Sequence, residues 1–120
     1  MKISVVMPTF NRGNVIQHAI RSVIDQTHKD WELVIVDDGS TDGTKRVVDG
    51  FANPRICYYP MVHCGFVSRV RNFGNQKATG DIIVVHDSDD VAFPDRLEEI
   101  VKAFTENPET DLVYHGFYQR

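Results

Sequence analysis

Three carboxylates crowd into four consecutive positions at Asp87-Ser88-Asp89-Asp90, directly after the apolar run Ile82 to Val85. Like charges held this close oppose one another's ionisation and make folding costly unless something neutralises them. A hard divalent cation does so through oxygen ligands, and Mg2+ and Mn2+ commonly share their shell with phosphate oxygens and water. The plainer reading is a solvated turn ahead of a helix, with Asp90 favoured by the helix dipole. A second acidic pair, Asp37-Asp38, follows another apolar run, Trp31 to Val36, and that repetition favours a site. A calcium loop is excluded by spacing. Counted from Asp87, the fifth position is Val91 and the sixth is Ala92, where a ligand and a glycine are required.

An acidic residue at the end of a strand often accepts from a ribose hydroxyl or a base N–H, and Asp38 is placed to do so. Neither GxGxxG nor GxxxxGK[ST] is present, and Gly39, Gly43, Thr44 and Lys45 miss the spacing of the second. Nucleotide recognition in this chain would therefore run through carboxylates and a cation in place of a glycine-rich anion nest.

The elements that must position these groups alternate in type. Lys2 to Met7 is β-branched and nearly all apolar, as in a strand covered on both faces, with Pro8 expected to end it. Val15, Ile16, Ala19, Ile20, Val23 and Ile24 form a helical stripe, for which Asn14 with Gln17 offers an N-terminal cap. Trp31 to Val36 is the second strand. A shorter helix is expected over 41–51, capped by Ser40 or Thr41, then a strand from Arg55 to Tyr59 and a helix from Phe66 to Ala78. Ile82 to Val85 is the most apolar strand and is expected to be buried. A helix with Pro94 in its first turn carries Leu97, Ile100, Val101 and Phe104, and Leu112 to Tyr118 is a last strand. This alternation predicts an α/β fold of three layers, α/β/α, around a mostly parallel sheet. Ligands of such sheets bind beyond the carboxyl ends of the strands, where Thr9 to Arg12, Asp37 to Asp42 and Asp87 to Asp90 all fall.

Gross properties narrow the partners. With 120 residues the chain is one domain, and 42% hydrophobic with 25% charged residues describes an ordinary globular protein. A net charge of −4 without a basic stripe argues against nucleic acid. No apolar stretch reaches the ~20 residues of a membrane span, and the N-terminus runs straight into a strand pattern, so a cytoplasmic protein without a leader is expected. Cys57 and Cys64 match no zinc spacing and are expected to be free thiols. His18, His28 and His115 read as surface or strand residues.

Four ordered segments carry a resemblance: VVMPTFNR (Val5 to Arg12), VIVDDGSTDGT (Val34 to Thr44), RNFGNQKATGD (Arg71 to Asp81) and HDSDD…FPDRL (His86 to Leu97). Over essentially the whole chain these resemble family 2 glycosyltransferases, whose GT-A fold has a Rossmann-like nucleotide-binding half. The resemblance implies transfer of a sugar from a nucleoside diphosphate donor (UDP-, GDP- or dTDP-linked), usually with inversion, assisted by Mn2+ or Mg2+. Carried over residue by residue, it implies that Pro8, Thr9 and Phe10 line the base pocket. Asp38 would accept from the base or ribose, and Arg71 would sit near the nucleotide. Asp87, Ser88 and Asp89 would form the DxD, with Asp89 the metal ligand and Asp87 supporting it.

Two places depart from the family pattern: His86 replaces an apolar residue, and His63-Cys64-Gly65 replaces an Asn-Gly-Gly-like turn. Both read as tolerated variation, with His86 able to tune the acidic cluster if protonated. The resemblance covers the donor half, residues 1–120 forming a single donor-binding domain. It leaves the acceptor site and the general base in a second half, so no residue here is nominated as base. Catalysis by this chain would need an oligomer or partner to supply the missing wall; the acceptor is left open, and a cytoplasmic location peripheral to the membrane is compatible with the reading. Two alternatives are a binding or interaction module that does not transfer sugar, and a haloacid-dehalogenase-like phosphatase read from Asp87 to Val91. The second is disfavoured because that motif belongs on a first strand, with further acidic residues far downstream.

Overall fold

The computed structural model describes residues 1–107. Strands β1 (Ile3–Thr9), β2 (Trp31–Asp37), β3 (Ile56–Pro60) and β4 (Ile82–Val85) alternate with helices α1 (Ile16–Ile24), α2 (Thr44–Asp49), α3 (Val67–Lys77) and α4 (Arg96–Glu106). The sheet is parallel in every pairing, with strand order β3-β2-β1-β4. The chain moves outward from β1 to β3 and then returns to the other side of β1. The switch point therefore lies between β1 and β4, where such sheets open a crevice beyond their carboxyl ends. The expected strand Leu112 to Tyr118 lies outside the described residues.

Side chains on adjacent strand positions face opposite ways and build two cores. Ile3, Val5, Met7, Leu33, Ile35, Ile82 and Val84 pack with Ile16, Ile20 and Val23 of α1, Val48 of α2, and Leu97 and Ile100 of α4. Val6, Val34 and Val36 face the other way and meet Val70 and Phe73 of α3. The three-layer α/β/α expectation holds among the described residues.

Several local expectations need correction. β1 does not stop at Pro8 but continues to Thr9, with Pro8 in register with Val36. In this ladder Thr9 bonds toward β2, through Asp38 N–H, while Val6 bonds toward β4, through His86 N–H. Pro8 shares the parity of Val6, so its missing N–H points to the β4 side, past the last paired residues Val6 and Val85. The proline costs the sheet nothing there. β4 is buried on one face only: Ile83 is 46% and Val85 37% exposed, because α3 covers β1 and β2 and stops short of β4. Asn14 does not cap α1. The helix starts at Ile16, and the Arg12 carbonyl takes the N–H groups of Val15 and Ile16. Likewise α2 begins at Thr44 and not at 41; the Thr41 and Asp42 amides donate instead to the Asn11 side chain at 2.8 and 3.3 Å, in the loop before it. Pro94 precedes α4 by two residues, and its carbonyl accepts from Thr27.

Candidate functional site

Four loops at the carboxyl edge enclose an open cleft of about 370 Å³. The end of β1 contributes Pro8, Thr9, Phe10 and Arg12, and the end of β2 contributes Asp38. Beyond β4 come Asp87, Ser88 and Asp89; His63, Gly65, Val67 and Val70 close the remaining side. Seven of the eight residues nominated from the sequence line this space. The eighth, Arg71, flanks it from α3 and reaches Asp87 Oδ1 at 3.4 Å.

The loops are tied to one another before any ligand arrives. Asn11 adopts φ of 50°, which Asn tolerates better than most residues. Its N–H bonds Ser40 Oγ at 2.8 Å, and its side-chain oxygen takes the amides at 41 and 42. Gly13 N–H donates to Asp42 Oδ2 at 3.1 Å. Gly39, at φ of 73°, lies so close to the next loop that a β-carbon there would be 2.8 Å from the His63 nitrogen. A side chain at 39 is excluded by both conformation and space.

Asp37 and Asp38 divide their labour. Asp37 is buried and turns inward, accepting from Ser40 N–H and Oγ at 2.9 and 2.6 Å and from the Tyr58 hydroxyl. Burial first, and then the Asp37 carboxylate, push the Tyr58 pKa up, so the phenol stays protonated. Asp38 turns to the cleft and holds the loop opposite. Cys64 N–H donates to Oδ1 at 2.8 Å and Gly65 N–H to Oδ2 at 3.0 Å, while His63 Nδ1 lies 3.1 Å from Oδ2. Burial works against the Asp38 charge, but the two amide bonds outweigh it and hold the carboxyl below the usual range.

His63 stands out in the sequence only as a departure from the family pattern and is not among the residues nominated for the site, yet it lines the cleft. Its Nδ1 also lies 2.8 Å from the Asp38 carbonyl, an acceptor, so the proton sits on Nδ1 and Nε2 is left as an acceptor. The ring stacks on Phe10 with centroids 4.4 Å apart and planes at 26°. Imidazole and phenyl form a flat aromatic wall, half exposed to the cleft. No local signal marks this pairing, which joins loops more than fifty residues apart.

Two buried polar atoms beside the cleft have no partner among the described residues: the Thr9 hydroxyl and Arg71 Nε. Thr9 is 4% exposed yet lines the cleft. Buried polar groups are nearly always hydrogen-bonded, so an orphan at a cleft wall is a mark of ligand contact. At the far end, carboxylate oxygens of Asp87, Asp89 and Asp90 lie within 4.8 Å of one another on exposed side chains. Asp90 N–H bonds the Asp87 carbonyl at 3.1 Å, closing the turn. Three hard oxygen donors at this spacing suit Mg2+ or Mn2+, and residues with softer donors are absent from the group. The turn follows the fourth strand, β4, and not the first, so the phosphatase arrangement is not met.

A parallel α/β sheet with a cleft at its switch point, lined by an aromatic pair and an acidic turn, is an architecture of Rossmann-like type. The sequence matches the model for glycosyl transferase family 2 over residues 4–120, and the chain belongs to that family. It is 38% identical over 120 residues to an "Uncharacterized glycosyltransferase" of Rickettsia felis, covering 99% of this chain and 19% of that protein. Staphylococcus aureus TarS 1-349, solved in complex with UDP-GlcNAc, superposes with a TM-score of 0.85 at 28% identity, over 90% of this chain and 32% of that one. The mannosyltransferase PcManGT of Pyrobaculum calidifontis, solved with GDP-Man and Mn2+, gives 0.81 at 27% identity, over 88% and 32%. The chain thus spans about a fifth of that curated relative and a third of each structural neighbour. Among the described residues no helix is long and apolar enough to cross a membrane, and both cysteines are free thiols.

Proposed function

We propose that this chain is the donor-binding half of an inverting glycosyltransferase, holding a nucleoside-diphosphate sugar with a divalent cation. One observation carries the reading: Asp87, Ser88 and Asp89 share a cleft with the Phe10–His63 wall, Asp38 and the unpartnered Thr9 hydroxyl. The base stacks at the aromatic wall, flanked by Pro8 and Asp38. The Thr9 hydroxyl and Arg71 Nε take up polar contacts to the nucleotide. The diphosphate runs toward Asp89, which together with Asp87 would hold Mn2+ or Mg2+. Bound there, the cation stabilises the charge that develops on the leaving diphosphate. Arg71, already beside Asp87, adds a second positive group at the same end. The UDP-sugar and GDP-sugar complexes of the two structural neighbours support a nucleotide-sugar donor, and the Mn2+ of one supports the cation.

The family resemblance leaves the acceptor site and the general base in a second half; the chain spans 19% of the Rickettsia felis relative. Calorimetric titration with UDP, GDP and dTDP, each with and without Mn2+, tests the proposal. Metal-dependent binding of one of them is expected. Absence of binding by all three would overturn the donor site, and steady turnover of a phosphate ester with Mg2+ would replace it with the phosphatase reading.

A further inference from the structure

His86 is 4% exposed at the carboxyl end of β4, and its backbone N–H completes the ladder to the Val6 carbonyl at 2.9 Å. Arg96, at the start of α4, brings Nη1 to within 2.6 Å of His86 Nδ1. A guanidinium only donates, so Nδ1 is the acceptor and the proton of the neutral ring sits on Nε2. That Nε2–H points at the Asp90 carbonyl, 2.9 Å away. Burial, reinforced by the adjacent Arg96 charge, pushes the His86 pKa down against the opposing pull of Asp90 and Asp87, in keeping with a neutral ring. The result is a continuous path from the first turn of α4, through the imidazole, to the backbone of the acidic turn.

We infer that His86 and Arg96 are positioning residues of the Asp87–Asp90 turn, Arg96 holding the imidazole and the imidazole fixing the turn's backbone before the divalent ion binds. The inference rests on the reading of that turn as the metal site. Three neighbouring carboxylates repel one another, and the repulsion favours an opened turn whose ligands must be regathered when the ion arrives. The imidazole grips the turn at the Asp90 carbonyl and opposes that opening, and the Arg96 charge acts favourably on Asp90. Neither side chain needs to touch the ion. Groups that orient metal ligands from behind typically carry a 10–100-fold share of metal affinity. An apolar residue at 86 would fill the same space but supply neither the donor to Asp90 nor the acceptor for Arg96.

The test is Mn2+ affinity in the presence of saturating UDP or GDP, with nucleotide affinity in EDTA and thermal unfolding measured alongside. His86→Leu and Arg96→Met are expected to weaken Mn2+ about tenfold or more while leaving metal-free nucleotide affinity unchanged. His86→Gln, which keeps an N–H donor at 86, is expected to recover most of the loss. A purely structural pair would lower the melting temperature of all three variants yet leave Mn2+ affinity of the folded protein within about twofold, and that result would overturn the inference. Should one variant not fold, the other and His86→Gln decide the matter. If the unmutated chain binds nucleotide but no Mn2+, the metal site itself is refuted and this inference falls with it.

Discussion

The Asp38 carboxylate, at the end of β2, accepts the backbone N–H of Gly65 at 3.0 Å from a loop that forms the opposite wall of the cleft. With the Cys64 amide at 2.8 Å and His63 at 3.1 Å, it spans the cleft floor and sets where the Phe10–His63 stack stands. Hydrogen bonds to a charged, buried carboxylate contribute about 1.5–3 kcal/mol each. Asp38→Ala should therefore lower unfolding free energy by about 2–4 kcal/mol and weaken nucleotide binding at least about tenfold, equivalent to 1.4 kcal/mol. Urea denaturation and calorimetry check the two parts. Asp38→Ala with parental nucleotide affinity would show that the loop does not depend on this anchor.

Gly74 of α3 sits directly over the sheet, where a β-carbon would lie 2.5 Å from Val6 Cγ1 and 3.1 Å from Val36 Cγ2. Gly74→Ala should overpack this face and cost about 1–3 kcal/mol. Adding Val6→Ala removes the nearer obstacle, so the pair should be less destabilised than the sum of the singles, by about 0.5 kcal/mol or more. Strict additivity in a double-mutant cycle of denaturation midpoints would contradict the contact.

Glu32 joins three segments: Ser4 Oγ on β1 donates to its Oε2 at 2.5 Å, and Thr79 N–H and Oγ1 donate from the turn before β4 at 2.6 and 3.0 Å. Burial alone would raise its pKa, but the Ser4 and Thr79 bonds, with Lys2, more than offset it and hold the carboxyl low. A depressed folded pKa means the unfolded chain binds the proton more readily. The stabilisation is thus complete above the unfolded value of about 4.3 and is lost as pH falls through the folded pKa. Glu32→Gln should flatten this acid branch, measured as the urea midpoint from about pH 6 to about pH 3. An unchanged acid slope would remove Glu32 as its source.

Much of this architecture was legible because burial imposes its period on the chain. Val5, Val6 and Met7 read as a two-faced strand, and Ile16, Ile20 and Val23 read as a helix stripe, since each pattern has one packing solution. The acidic and polar groups at the carboxyl ends of β1, β2 and β4 were legible for the same reason. What escaped depends on neighbours that a linear pattern does not reveal. Pro8 is harmless only because β4 has already ended on that side, and Ile83 and Val85 are exposed only because α3 stops short of them. The Asn14 cap failed because the Arg12 carbonyl reached the same amides. His63 and His86 stood out as departures, but their roles lie with Phe10, Asp38, Arg96 and the Asp90 carbonyl, contacts set by the fold.

The proposed metal site depends most directly on Asp89. The decisive measurement is calorimetric binding of UDP or GDP, whichever is tighter, to the unmutated chain and to Asp89→Ala, each in Mn2+ and in EDTA. The account predicts that Mn2+ tightens binding to the unmutated chain about tenfold or more, at least 1.4 kcal/mol, and that Asp89→Ala binds equally weakly under both conditions. Binding that ignores Mn2+, or a metal effect that survives in Asp89→Ala, would contradict it.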